Sequence, residues 1–104
     1  MNFFYTYVLQ SLKDYNFYYG YTNNLKSRIE LHNKGRVEST KNRRPLKLIY
    51  YEACLNKDDA LKREKYFKTH YGNMFLKKRL LNSYSTGQVS SKNKTFNKSV
   101  KDNI

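Results

Sequence analysis

Residues 5–35 read YTYVLQSLKDYNFYYGYTNNLKSRIELHNKG, and this stretch decides the fold. With the residues just before it, its first part is a run from Phe3 to Gln10, rich in aromatic and β-branched side chains and loosely alternating, the mark of a strand. Lys13-Asp14-Tyr15-Asn16 is a cluster of turn formers, and Phe17–Thr22 is a second aromatic strand. So short a connection pairs the two strands antiparallel. Asn23 or Asn24 then caps a helix with apolar positions at Leu25, Ile29 and His32, ending near Asn33 with Gly35 as its stop.

Beyond that helix, the basic segment Lys34–Arg44 is a loop closed by Pro45, and Lys47–Ala53 (KLIYYEA) is a third strand. Asn56-Lys57-Asp58-Asp59 opens a second helix, its acids set in the first turn where the helix dipole favours them. This helix carries Ala60, Leu61, Tyr66 and Phe67 to about Thr69, and a last helix covers roughly Gly72 to Leu81. The order is β-β-α-β-α-α, an α/β fold with a small, mainly antiparallel three-stranded sheet flanked by helices. At about Asn82 the composition turns to Ser, Asn, Thr and Lys with scattered apolar residues and no period. Such a segment buries too little apolar surface to offset its ordering entropy. Residues 1–81 are therefore expected to form the domain and 82–104 a flexible basic tail.

The chain carries 21 Lys and Arg against 8 Asp and Glu, a formal net charge of +13. Segment 1–81 holds 17 of the basic and 7 of the acidic residues, so the positive field belongs to the expected fold. Polyanions are the partners this charge selects: nucleic acid, through counterion release, with anionic membrane as the rival. No stretch approaches the ~18 consecutive apolar residues of a membrane span. The N-terminal MNFFYTYVLQSLKD lacks the basic and small-residue features of a signal peptide, so a soluble, cytoplasmic protein is expected. Cys54 is alone, and with His32 and His70 it makes a poor zinc set.

Four features could carry chemistry. Arg28 and His32 are spaced i, i+4 and project from one helix face, either as a solvated basic face or as a phosphate-handling pair. Glu64 stands among Lys62, Arg63 and Lys65, either as a surface salt-bridge partner or as a single carboxylate holding Mg²⁺, which needs only one or two protein oxygens. Tyr5, Tyr7, Tyr18, Tyr19 and Tyr21 crowd the hairpin, where most tyrosines pack across strands. A catalytic phenol is the minority case, because a pKa near ~10 must fall before it accepts a proton at neutral pH. The loop Thr40-Lys41-Asn42-Arg43-Arg44-Pro45 is either a soluble loop or a patch suited to phosphate oxygens through Lys41, Arg43 and Arg44.

Taken in order, these residues resemble the GIY-YIG nuclease superfamily, in particular its small stand-alone bacterial members. Tyr5-Thr6-Tyr7 stands where the family has Gly-Ile-Tyr, and Tyr18-Tyr19-Gly20 where it has Tyr-Ile-Gly. The substituted positions concern backbone packing; the two functional tyrosines, Tyr7 and Tyr18, are kept. Arg28 corresponds to the family's helix arginine, His32 to the histidine one turn later, and the ALKREKYFK helix places the metal-binding carboxylate at Glu64. The resemblance covers about residues 1–81. It implies a metal-dependent endonuclease that hydrolyses phosphodiester bonds of nucleic acid, DNA in preference to RNA, with Mg²⁺ or Mn²⁺ held by Glu64. Arg28 would bind the non-bridging phosphate oxygens, Tyr18 would be the general base, Tyr7 would orient the water or share that role, and His32 would bind phosphate or assist proton transfer. The same scaffold without turnover, a nucleic-acid-binding module, is the alternative. Specificity would come from the loop Gly35–Pro45, the tail or a protein partner.

Overall fold

The computed structural model describes residues 2–87. Its elements are β1 (Phe4–Ser11), β2 (Phe17–Thr22), α1 (Leu25–Asn33), a 3₁₀ turn (Lys41–Arg43), β3 (Leu46–Cys54), α2 (Lys57–Phe67) and α3 (His70–Arg79). The sheet order is β2-β1-β3 with both pairings antiparallel. The order β-β-α-β-α-α and the small antiparallel sheet are as the sequence predicts. The central strand β1 departs from simple alternation because helices cover both of its faces, and Thr6 to Ser11 are all buried.

Parity along β1 sorts the core into two layers. Tyr7 and Leu9 face Leu46, Leu48, Tyr18 and the α1 side chains Leu25 and Ile29. Val8 faces the other way, into a larger cluster with Phe67, Leu76 and Leu80, flanked by Phe17, Tyr19, Tyr50, Tyr66 and Phe75. α1 thus covers one face, and α2 with α3 covers the other. The unbroken β1–β2 register sets Tyr7 opposite Gly20, and on the other side Tyr7 pairs with Tyr51 of β3, just before a register shift between Val8 and Leu9 in that ladder.

Local chemistry fixes the helix ends. Asn24 accepts the Ser27 N–H at 3.1 Å, and Asn56 accepts those of Asp58 and Asp59 at 2.8 and 3.2 Å. Gly35 takes the left-handed conformation (φ 74°) that ends α1. α3 begins at His70 rather than Gly72, because the Thr69 hydroxyl caps it by accepting the Gly72 N–H at 3.0 Å. α2 is correspondingly shorter, ending at Phe67.

Two long-range ties hold the periphery. Arg43 donates to both Asp14 oxygens at 2.7 and 3.2 Å and to the Asn16 carbonyl at 3.2 Å, fastening the α1–β3 loop to the hairpin turn. The buried Gln10 side chain accepts the Ser85 N–H at 2.8 Å and donates to the Ser85 carbonyl, while Tyr84 meets Phe17 edge-on at 5.4 Å. Packed structure therefore continues past Leu81, through Tyr84 and Ser85. Gln10 needs a partner for its amide, and the chain after α3 supplies it. The rest of the expected tail, 88–104, lies outside the described residues. Among the described residues no helix is long and apolar enough to cross a membrane.

Candidate active site

The site grows from one cross-strand pair. Tyr7 on the central strand faces Gly20 on the edge strand β2, and a Cβ at position 20 would overlap the Tyr7 ring and hydroxyl. Only glycine lets the ring lie across β2, which carries the Tyr7 hydroxyl from the middle of the sheet to its edge. The side chain is 1% exposed, and burial pushes its pKa up; the Arg28 hydrogen bond opposes this, while Tyr18 and the charge of Glu64 add to it.

α1 brings two groups to that hydroxyl. Its i, i+4 spacing sets Arg28 and His32 on one face, where Arg28 Nε donates to the Tyr7 hydroxyl at 3.4 Å and His32 Nε2 lies 2.8 Å from it. His32 is fully buried, its other nitrogen Nδ1 lying 2.7 Å from the Thr40 hydroxyl. Burial, with the Arg28 charge second, holds its pKa down at about 4, so the ring is neutral at pH 7. Both ring nitrogens are thus engaged inside the protein, Nε2 with Tyr7 and Nδ1 with Thr40.

Tyr18 completes the group. Its ring lies 5.2 Å from His32 and 6.5 Å from Tyr7, and its hydroxyl accepts from Ser39 Oγ at 3.3 Å. Hydrogen bonding to Tyr7, then the neighbouring Tyr18, raises the pKa of Arg28, against the opposing effect of burial. Among the described residues no carboxylate forms an ion pair with Arg28. The guanidinium is held in place by phenols, and its charge is left uncompensated.

Glu64 approaches from the other layer. Thr6 Oγ1 donates to the Ala60 carbonyl at 2.7 Å and pins α2 to the sheet, with Ala60 and Phe67 buried against it. Glu64 lies one turn after Ala60 on that inward stripe. Its side chain is 22% exposed, 3.5 Å from Lys68 Nζ, and its charge is felt at Tyr7. The structure thus gathers Tyr7, Tyr18, Arg28 and His32 directly and joins Glu64 to Tyr7 only through space. Among the described residues no three of His, Cys, Asp and Glu form a metal cage. A single hard oxygen donor fits Mg²⁺ or Mn²⁺, whose shell waters and substrate phosphate oxygens complete, and does not fit a structural zinc.

The basic loop divides. Arg43 is spent on Asp14, Lys41 pairs with Glu38 at 3.1 Å, and Arg44 Nε donates to the Lys41 carbonyl at 2.9 Å with its guanidinium packed over Gly35. Sequence reasoning missed Ser39 and Thr40 as parts of the site. Thr40 is quoted in the loop only as a phosphate-binding neighbour, and the signal that could have found it is a hydroxyl flanking a loop that must return over α1.

Residues 3–79 match the family described as the GIY-YIG catalytic domain. The chain is 49% identical over 69 residues to a UPF0213 protein of Pediococcus pentosaceus, covering 65% of this chain and 72% of that protein. It is 46% identical over 65 residues to a UPF0213 protein of Clostridium perfringens, covering 62% and 69% of the two chains. The solution structure of a UPF0213 protein from Bacillus halodurans is similar with a TM-score of 0.48 and 28% identity, over 78% of this chain and 86% of that one.

Proposed function

The chain belongs to the GIY-YIG catalytic-domain family, and from that membership we propose that it is a metal-dependent endonuclease hydrolysing phosphodiester bonds of nucleic acid, DNA in preference to RNA. The observation that carries this reading is the uncompensated Arg28 guanidinium set beside the hydroxyls of Tyr7 and Tyr18. Such a group invites an anion, and its planar fork suits two phosphate oxygens at once.

In this reading Arg28 binds the non-bridging oxygens of the scissile phosphate and stabilises the charge that grows there. Tyr18, the less buried phenol, acts as its phenolate, its own proton having passed to solvent, and takes the proton of the attacking water. Tyr7, held from behind by His32, orients that water. Glu64 would hold Mg²⁺ or Mn²⁺, which supplies Lewis-acid stabilisation of the phosphate and of the departing oxygen. Lys41 and Arg44 contact flanking phosphates and position the strand without reading its sequence.

The test is a cleavage assay on single-stranded, duplex and branched DNA and on RNA, with Mg²⁺ or Mn²⁺ and EDTA controls. Wild-type protein cleaves, and Glu64→Gln lowers the rate by about 10²–10³ while leaving salt-dependent binding in place. Inactivity of wild type on the whole panel would leave a nucleic-acid-binding module on the same scaffold.

A further inference from the structure

We infer that Thr40 is a positioning residue: its hydroxyl oxygen accepts the Nδ1–H of His32 and so holds the imidazole in the tautomer whose Nε2 lone pair receives the Tyr7 hydroxyl proton. This assignment rests on the nuclease reading of the site and adds a member to it from a loop rather than from the hairpin or α1.

The argument is one of donors and acceptors. Tyr7, His32 and Thr40 form a buried chain with links of 2.8 and 2.7 Å. Arg28, the other polar neighbour of the Tyr7 hydroxyl, has only donors, so it cannot take the phenol proton. His32 Nε2 is then the acceptor within the protein, and a neutral imidazole that accepts at Nε2 carries its proton at Nδ1. Thr40 Oγ1 is where that proton points. The reverse tautomer would aim two donors, His32 Nε2–H and Arg28 Nε–H, at the Tyr7 oxygen and leave its proton to water alone, the poorer pairing of donors and acceptors.

The consequence for the site is directional. With its proton turned inward to His32, Tyr7 presents oxygen lone pairs toward Arg28, where they can accept a hydrogen bond from a water. Thr40 can hold this setting because its own backbone is fixed: its N–H donates to Val37 at 3.1 Å, its carbonyl accepts from Arg43 at 2.8 Å, and Arg43 is tied to Asp14. Positioning of a buried imidazole by the group behind its second nitrogen is a general device for choosing a tautomer.

The experiment uses the full chain, ¹⁵N-labelled, with long-range proton–nitrogen spectra of the imidazoles; exposed His70 serves as the internal reference. Wild-type His32 shows the Nδ1–H form alone. T40V, which keeps the side-chain shape and removes the acceptor, moves His32 toward the Nε2–H form, and T40S restores it. In the cleavage assay T40V lowers kcat about 10–100-fold with KM unchanged, and T40S stays within about threefold of wild type. An Nε2–H form in the wild type overturns the inference without any variant, as does a T40V protein whose tautomer or kcat does not change. The spectra need neither substrate nor metal. A wild type that cleaves nothing therefore sinks the nuclease reading, while the spectra still decide the tautomer.

Discussion

Arg28 and Arg63 are both half-buried guanidiniums, one in the α1 layer and one in the α2 layer, and their surroundings differ in kind. Arg63 donates to both oxygens of Glu52 at 2.8 and 2.9 Å, and Glu52 also accepts from the Tyr50 hydroxyl at 2.8 Å. The Arg63 guanidinium lies 4.8 Å from the Phe67 ring centroid and 5.1 Å from those of Tyr66 and Phe75. Burial works to raise the Glu52 pKa, but the Arg63 and Tyr50 hydrogen bonds outweigh it and the carboxyl is held low. That cluster is closed: its charges cancel inside the protein. Arg28 has phenols in place of a carboxylate, so its charge is directed outward. A guanidinium with its anion built in stabilises a fold; one held by neutral oxygens waits for an anion from outside.

Exchanging the fates of the two arginines is the sharpest way to break this contrast. Arg28→Gln should lower cleavage by about 10²–10³ with little change in melting temperature, measured by single-turnover kinetics and calorimetry. Arg28→Lys should recover only part of the rate, since an ammonium lacks the planar fork. An Arg28→Gln protein as active as wild type would remove the distinction altogether.

Gly20→Ala tests the geometry that brings Tyr7 beside Arg28. The added methyl must displace the Tyr7 ring, so stability should fall by about 1–3 kcal/mol and cleavage should fall more than that loss explains. Arg63→Gln is the mirror case. It should cost about 1.5–3 kcal/mol in denaturant unfolding by stranding Glu52, with activity retained at temperatures where the variant is folded.

The smallest effect is in the pH dependence of stability. His32 has a folded pKa of about 4, below its ordinary 6.5, so the unfolded chain binds the proton first. Stability is full above 6.5 and declines as pH falls toward 4, and His32→Gln should flatten that slope. A separate window belongs to Asp14, whose carboxyl Arg43 holds at about 2 against an ordinary 3.8. Its contribution is present above 3.8 and lost as pH falls through 2, so Arg43→Gln should remove that step and leave the upper one.

How much of this was legible depended on sequence distance. Tyr7, Tyr18 and Gly20 lie within one hairpin, and Arg28 and His32 within one helix face; alternation and an i, i+4 spacing place each pair locally, and the resemblance to the family is what joined them into one site. Arg63 and Glu64 are adjacent in KREK, and nothing local separates their roles. The turn of α2 sends the first to Glu52 and the aromatic rings and the second along the Ala60–Phe67 stripe. Arg43 and Arg44 looked like one patch with Lys41 until the fold brought Asp14 to Arg43. Thr40 was hidden because its partner is a ring on another element.

The amino-acid order by itself determined the hairpin, the three helices, the asparagine caps of the first two, the positive field and the series of tyrosines, arginine and histidine. Each depends on interactions within a few residues or on composition summed over the chain. The fold alone decided which cation is cancelled and which is left open, which hydroxyl stands behind His32, and that packing continues past α3 through Tyr84 and Ser85. Those outcomes turn on groups far apart in sequence, such as Asp14 with Arg43 and Gln10 with Ser85, whose pairing exists only once the sheet and helices have buried the donors and acceptors that must be matched.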